Sequence, residues 1–96
     1  MYLGLDLGTS GLKGIVVDDH QRIVAEASAP LSVSRPHDGW SEQAPQDWID
    51  AARSVIGALP AAVRTKTKGV GLPHQRHGAT LLDKADKVLR PCILWN

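Results

Sequence analysis

The chain has 96 residues, and its 11 Lys+Arg against 10 Asp+Glu leave a formal net charge of +1. That balance provides no extended field to attract nucleic acid or an anionic membrane, so neither is expected as a partner. With 43% apolar and 22% charged residues the composition is globular, and the length allows at most one domain with a modest core.

A single cysteine, Cys92, excludes an internal disulfide, and His20, His37, His74 and His77 lack the spacing of a zinc site. Asp6 interrupts the first apolar stretch, so no secretory leader is read, and no run approaches the ~20 apolar residues of a membrane span. A cytoplasmic protein is the expectation.

Residues 2 to 7 alternate, with Leu3, Leu5 and Leu7 on one face and Tyr2, Gly4 and Asp6 on the other, which predicts a strand. The turn formers Gly8, Thr9, Ser10 and Gly11 follow, and Leu12 to Val17 supply a second, β-branched strand. A turn at residues 18 to 21 leads to Ile23, Val24, Ala25 and Ala27, completing a three-stranded antiparallel meander that Pro30 closes. Residues 31 to 43, with Pro36, Gly39 and several serines, read as an irregular connection. Pro45 suits the first position of a helix, where its missing N–H is not needed. Trp48, Ala52, Val55, Ile56 and Leu59 share one stripe of that helix, and Pro60 ends it. The acidic Asp47 and Asp50 on the opposite face agree in sign with the helix dipole.

The basic stretch at residues 64 to 68 reads as a solvated face, followed by a short strand at 69 to 72 and a polar loop at 73 to 78. Extended structure at 79 to 82, a turn at 84 to 87 and an apolar run from Val88 to Asn96 complete the chain. Stopping in such a run suits the front of a larger domain, with further chain expected to cover the exposed edge. The element order makes the fold class mixed α/β.

Chemistry concentrates at two places. Asp6 stands at the end of a strand, directly before a turn rich in glycine and hydroxyls. Such a turn brings backbone N–H groups and the Thr9 and Ser10 hydroxyls near phosphate oxygens, and the carboxylate is suited to Mg²⁺, directly or through water. Lys13 adds a positive charge nearby. The turn has neither the GK[ST] ending of a Walker P-loop nor the glycine spacing of a dinucleotide fingerprint. By itself the pattern suits an ordinary hairpin turn with a solvated Asp6 equally well. The second place is the loop around His77, whose imidazole offers a donor and an acceptor to sugar hydroxyls, or is simply a surface histidine.

A wider resemblance separates these alternatives. Asp6 to Lys13, DLGTSGLK after an apolar strand, resembles the phosphate-binding hairpin of the actin-like ATPase superfamily, specifically the FGGY carbohydrate kinases. The stretches Leu31 to His37, Trp40 to Gln43, Gln75 to Asp83 and Leu89 to Asn96 resemble the xylulokinase type of that family in order and spacing. The similarity covers essentially the whole chain. It implies a partial ribonuclease-H-like domain, with residues 1–96 forming the front of an N-terminal kinase domain whose C-terminal domain is absent. It further implies that ATP phosphates lie against Gly8, Thr9, Ser10 and Gly11 with Lys13 as an auxiliary, that Asp6 acts through Mg, and that D-xylulose is phosphorylated at its 5-hydroxyl. Arg76 and His77 fall in the family's sugar-binding segment, and the general base is a downstream aspartate outside this chain. Other FGGY kinases, of ribulose, glycerol or gluconate type, and a non-catalytic nucleotide- or sugar-binding remnant are the alternatives.

Three positions depart from the family pattern. His74 replaces a glycine, a strained choice if that position needs φ > 0. Arg76 replaces a methionine, putting a long cation in the sugar segment. Ala44 replaces a helix-capping aspartate, a loss of about 1 kcal/mol. Trp40, Trp48, Trp95 and Cys92 read as packing residues.

Overall fold

The alternation of the first segment places its leucines in a core. The computed structural model describes residues 1–74 and 77–95. Strands β1 (Tyr2–Leu7), β2 (Gly11–Val17) and β3 (Ile23–Pro30) form the expected antiparallel meander. Its register pairs Leu3 with Val16, Leu5 with Gly14 and Leu7 with Leu12 on one face, and Asp6 with Lys13 on the other. At the β2–β3 turn, Asp18 Oδ1 accepts the backbone N–H groups of His20 and Arg22 at 2.8 and 3.0 Å. The bond from Arg22, before all else, holds the Asp18 carboxyl below the usual carboxylate range.

A two-residue strand, β4 (Glu42–Gln43), lies inside the segment whose sequence reads as irregular. Two polar residues are too short a stretch for periodicity, and their extended form comes from pairing. Helix α1 (Pro45–Ala58) begins at its proline as expected, and its N-cap Ala44 makes no side-chain capping bond. Replacing Ala44 with Asp is expected to raise stability by about 1 kcal/mol in urea denaturation, and an unchanged midpoint would contradict this reading of the cap.

Ala51 and Val55 are the buried residues of α1, joined by Leu59 just beyond it, while Trp48 is only half-buried. The buried stripe is therefore rotated from the one that includes Trp48, freeing the indole for another surface. A short second helix, α2 (Ala61–Thr65), takes up the first residues of the basic stretch, which the sequence reading left without structure. Its first turn follows Pro60, whose carbonyl accepts the N–H groups of Val63 and Arg64 at 3.0 and 3.1 Å. The chain returns in β5 (Gly69–Gly71), parallel to β1, giving the sheet order β3-β2-β1-β5.

Strand β6 (Cys92–Ile93) pairs antiparallel with β4, matching Gln43 with Cys92. Between β5 and β6, the extended run at 79 to 82 amounts to isolated bridges, Ala79 to Ile93 and Leu82 to Val88. The expected turn does form there, where Asp83 Oδ1 accepts the N–H groups of Ala85 and Lys87 at 2.8 and 2.9 Å. Beside it, the Glu42 carboxylate is buried and ion-paired with Arg90, which fastens β4 to the chain entering β6.

The core is the space between the leucine face of the meander and α1, filled by Leu3, Leu5, Leu12, Val16, Ala51, Val55 and Leu59. Gly14 allows this approach. A Cβ there would sit 2.5 Å from Val55 Cγ1 and 3.2 Å from Leu5 Cδ2. Val55 is fully buried and stiff at χ1, so it cannot swing away. Gly14→Ala is therefore expected to destabilise by roughly 1–3 kcal/mol in chemical denaturation, and a neutral effect would contradict the packing described. Among the described residues no helix is long and apolar enough to cross a membrane.

Candidate functional site

The turn from Gly8 to Gly11 is closed by the Gly8 N–H donating to the Gly11 carbonyl at 3.0 Å. Two further bonds fix it to the body. The Leu31 N–H donates to the Ser10 carbonyl at 3.0 Å, and Gln43 Nε2 donates to the Thr9 carbonyl at 2.6 Å. The groups spent on the fold are thus carbonyls and one N–H. The Thr9 and Ser10 hydroxyls, with their backbone N–H groups, are groups of the kind that could face an anion at such a turn. The reason for its glycines is not a left-handed backbone, since neither Gly8 nor Gly11 has positive φ. At Gly11 the reason is proximity: a Cβ would lie 3.0 Å from the Ala29 carbonyl oxygen of β3.

Asp6 is exposed at the end of β1, on the sheet face opposite the core and directly across from Lys13. Lys13 Nζ lies 3.8 Å from Glu26 Oε2, with both side chains more than half exposed. Such a surface pair holds its partners weakly, so the ammonium can exchange Glu26 for a stronger anion. Among the described residues no group of three or more His, Cys, Asp or Glu is placed to hold a metal ion. A single exposed carboxylate beside a turn rich in glycine and hydroxyls still suits Mg²⁺, which takes one or two carboxylates and keeps several waters.

A cleft opens next to this turn. It is lined by Leu7, Trp48, His74, His77, Gly78, Thr80 and Cys92 of β6. Leu7 is where the two features meet. It follows Asp6, donates its N–H to the Pro73 carbonyl at 3.1 Å, and bridges in parallel to His74. The end of β1 is thereby bonded to the loop that carries the histidines. The strain foreseen at His74 is absent, because His74 continues the extended line beside β1 and has no positive φ. His77 carries it instead, at φ 62°, a conformation histidine visits more readily than most non-glycine residues. Arg76, the other expected sugar contact, lies outside the described residues.

Two residues bearing on the cleft escaped the sequence reading. Trp48 is a cleft wall, and its indole Nε1 donates to Gln43 Oε1 at 3.0 Å. Gln43, 2% exposed, joins that wall to Thr9 of the turn. Contacts across 34 positions of sequence leave no local pattern, and an indole at helical spacing is indistinguishable from a core residue.

The comparisons agree with this geometry. The model of the FGGY family of carbohydrate kinases, N-terminal domain, matches residues 1–96. A xylulose kinase of Klebsiella pneumoniae is 50% identical over 97 residues, an overlap that takes in 100% of this chain and 20% of that protein. The crystal structure of a xylulose kinase from Brucella ovis superimposes with a TM-score of 0.95 at 58% identity, over 99% of this chain and 21% of that one. That of xylulose kinase from Rhodospirillum rubrum gives a TM-score of 0.90 at 35% identity, over 96% and 20%. The chain spans about one fifth of the length of these relatives. A family match from the first residue to the last places this chain in the FGGY family of carbohydrate kinases.

Proposed function

We propose that the chain is the N-terminal part of a cytoplasmic sugar kinase that transfers the γ-phosphoryl group of ATP to the 5-hydroxyl of D-xylulose. The observation that carries the proposal is the position of Leu7, one residue from Asp6 and at the same time in the wall of the His77 cleft. A phosphate site and a hydroxyl site sharing one strand end is the arrangement that phosphoryl transfer between two bound molecules requires. Gly8, Thr9, Ser10 and Gly11 take the ATP phosphates, with Lys13 in support, and His77 with Arg76 takes the sugar. Mg²⁺, held through Asp6 and the phosphates, supplies neutralisation of the charge developing in transfer. Residues 1–96 then form an incomplete N-terminal domain, and the remainder of the kinase covers exposed apolar residues such as Leu72, Leu82, Leu89 and Trp95.

The test is phosphorylation of xylulose, ribulose, glycerol and gluconate by the kinase of natural length with MgATP. Xylulose is expected to give the highest kcat/KM, with the phosphate on the 5-hydroxyl. His74 and Arg76 favour the second reading, a relative with a different sugar, and preference for another of the four would establish it. His77→Gly removes the imidazole while relieving its positive φ, so the fold is spared. It is expected to lower kcat/KM for the sugar about 10- to 100-fold, with KM for ATP unchanged. Equal losses toward both substrates would remove His77 from the sugar site.

A further inference from the structure

The turn and the histidine cleft meet at Leu7, and one buried side chain links them a second time, from another direction. Gln43 Nε2 donates to the Thr9 carbonyl at 2.6 Å and, more loosely, to the Ser32 carbonyl at 3.4 Å. Its Oε1 accepts the Trp48 indole N–H at 3.0 Å. Its backbone is in register with Cys92, a further residue of the cleft. Both ends of one amide are therefore occupied, one by the turn proposed to hold phosphate and the other by a wall of the cleft proposed to hold sugar. A rigid, planar group 2% exposed transmits a shift of either partner to the other, because no solvent is present to absorb it.

We infer that Gln43 is a positioning residue for phosphoryl transfer, setting the sugar cleft against the phosphate turn without touching either substrate. The inference rests on the kinase reading above. Displacement of a reacting pair by a fraction of an ångström impairs transfer far more than it impairs binding of either molecule. Loss of the link should therefore lower kcat and leave both KM values nearly unchanged. It should also let water compete with the displaced sugar, so that more than one ADP forms per sugar phosphate.

The experiment uses the kinase of natural length, first unmodified with MgATP and D-xylulose, then as Gln43→Met, Trp48→Phe and the double variant. Methionine keeps the length and volume of Gln43 and loses both polar ends; phenylalanine keeps an aromatic wall and loses the N–H. Absence of turnover in the unmodified enzyme would overturn the kinase reading itself, separately from the role of Gln43. Given turnover, Gln43→Met is expected to lower kcat roughly 10- to 100-fold with both KM values within threefold, and to raise the ratio of ADP to sugar phosphate above one. Trp48→Phe is expected to lose less, and the double variant no more than Gln43→Met alone, since both substitutions cut one connection. A lowered unfolding midpoint with kcat per folded molecule and the product ratio unchanged would overturn the inference. Multiplicative losses in the double variant would overturn it as well.

Discussion

Purified by itself, the 96-residue chain is expected to give no ATP-dependent xylulose 5-phosphate above the uncatalysed background. Transfer needs phosphate positioning, charge neutralisation and a base for the hydroxyl proton. In the proposed reading the turn and Asp6 provide for the first two. For the third, the described residues lining the cleft include no carboxylate. The cleft is also open to water, which weakens every electrostatic contact made in it. Circular dichroism of the same sample, showing helix and strand, separates lack of chemistry from lack of folding. Product formation by the folded chain would show that the base lies within these residues.

In the kinase of natural length, Asp6→Asn is expected to lower kcat about 100-fold or more and to raise the Mg²⁺ concentration needed for half-maximal rate. The substitution is nearly isosteric at an exposed position on the face away from the core, so the unfolding midpoint should hardly move. Asparagine keeps an oxygen acceptor and removes the negative charge, and the charge is what a Mg²⁺ ion or its waters require. A kcat within threefold of the unmodified enzyme would reduce Asp6 to the solvated end of a hairpin strand.

Much of this molecule was legible in its residues because the informative signals were local. Alternation in residues 2 to 7 dictated both the strand and the face on which Asp6 stands, and Pro45 marked the first turn of α1. The parallel return of β5 beside β1 has no local signature, because periodicity gives strands and not their pairing. Nor has the cleft, which brings Leu7 of β1, Trp48 of α1 and Cys92 of β6 together with His74, His77, Gly78 and Thr80. Trp48 shows the limit most clearly: its spacing fits the apolar stripe, but the close approach permitted by Gly14 puts Val55 at the centre of the interface and leaves the indole to meet Gln43. At the turn, the sequence reading tied the glycines to a ligand and not to the fold; the packing of Gly11 against the Ala29 carbonyl of β3 was not legible, because it crosses between strands. The departure at His74 proved harmless, since an extended residue pairs beside Leu7 whatever its side chain.

The central claim is that one strand end presents ATP phosphates to a sugar held at His77. A crystal structure of the kinase of natural length with Mg²⁺, a non-hydrolysable ATP analogue and D-xylulose tests it most directly. The account predicts phosphate oxygens at the Gly8 to Gly11 turn, the metal or its waters at Asp6, and the His77 imidazole hydrogen-bonded to a xylulose hydroxyl. Sugar bound away from the cleft formed by Leu7, Trp48 and His77, or phosphates held elsewhere than at this turn, would contradict it.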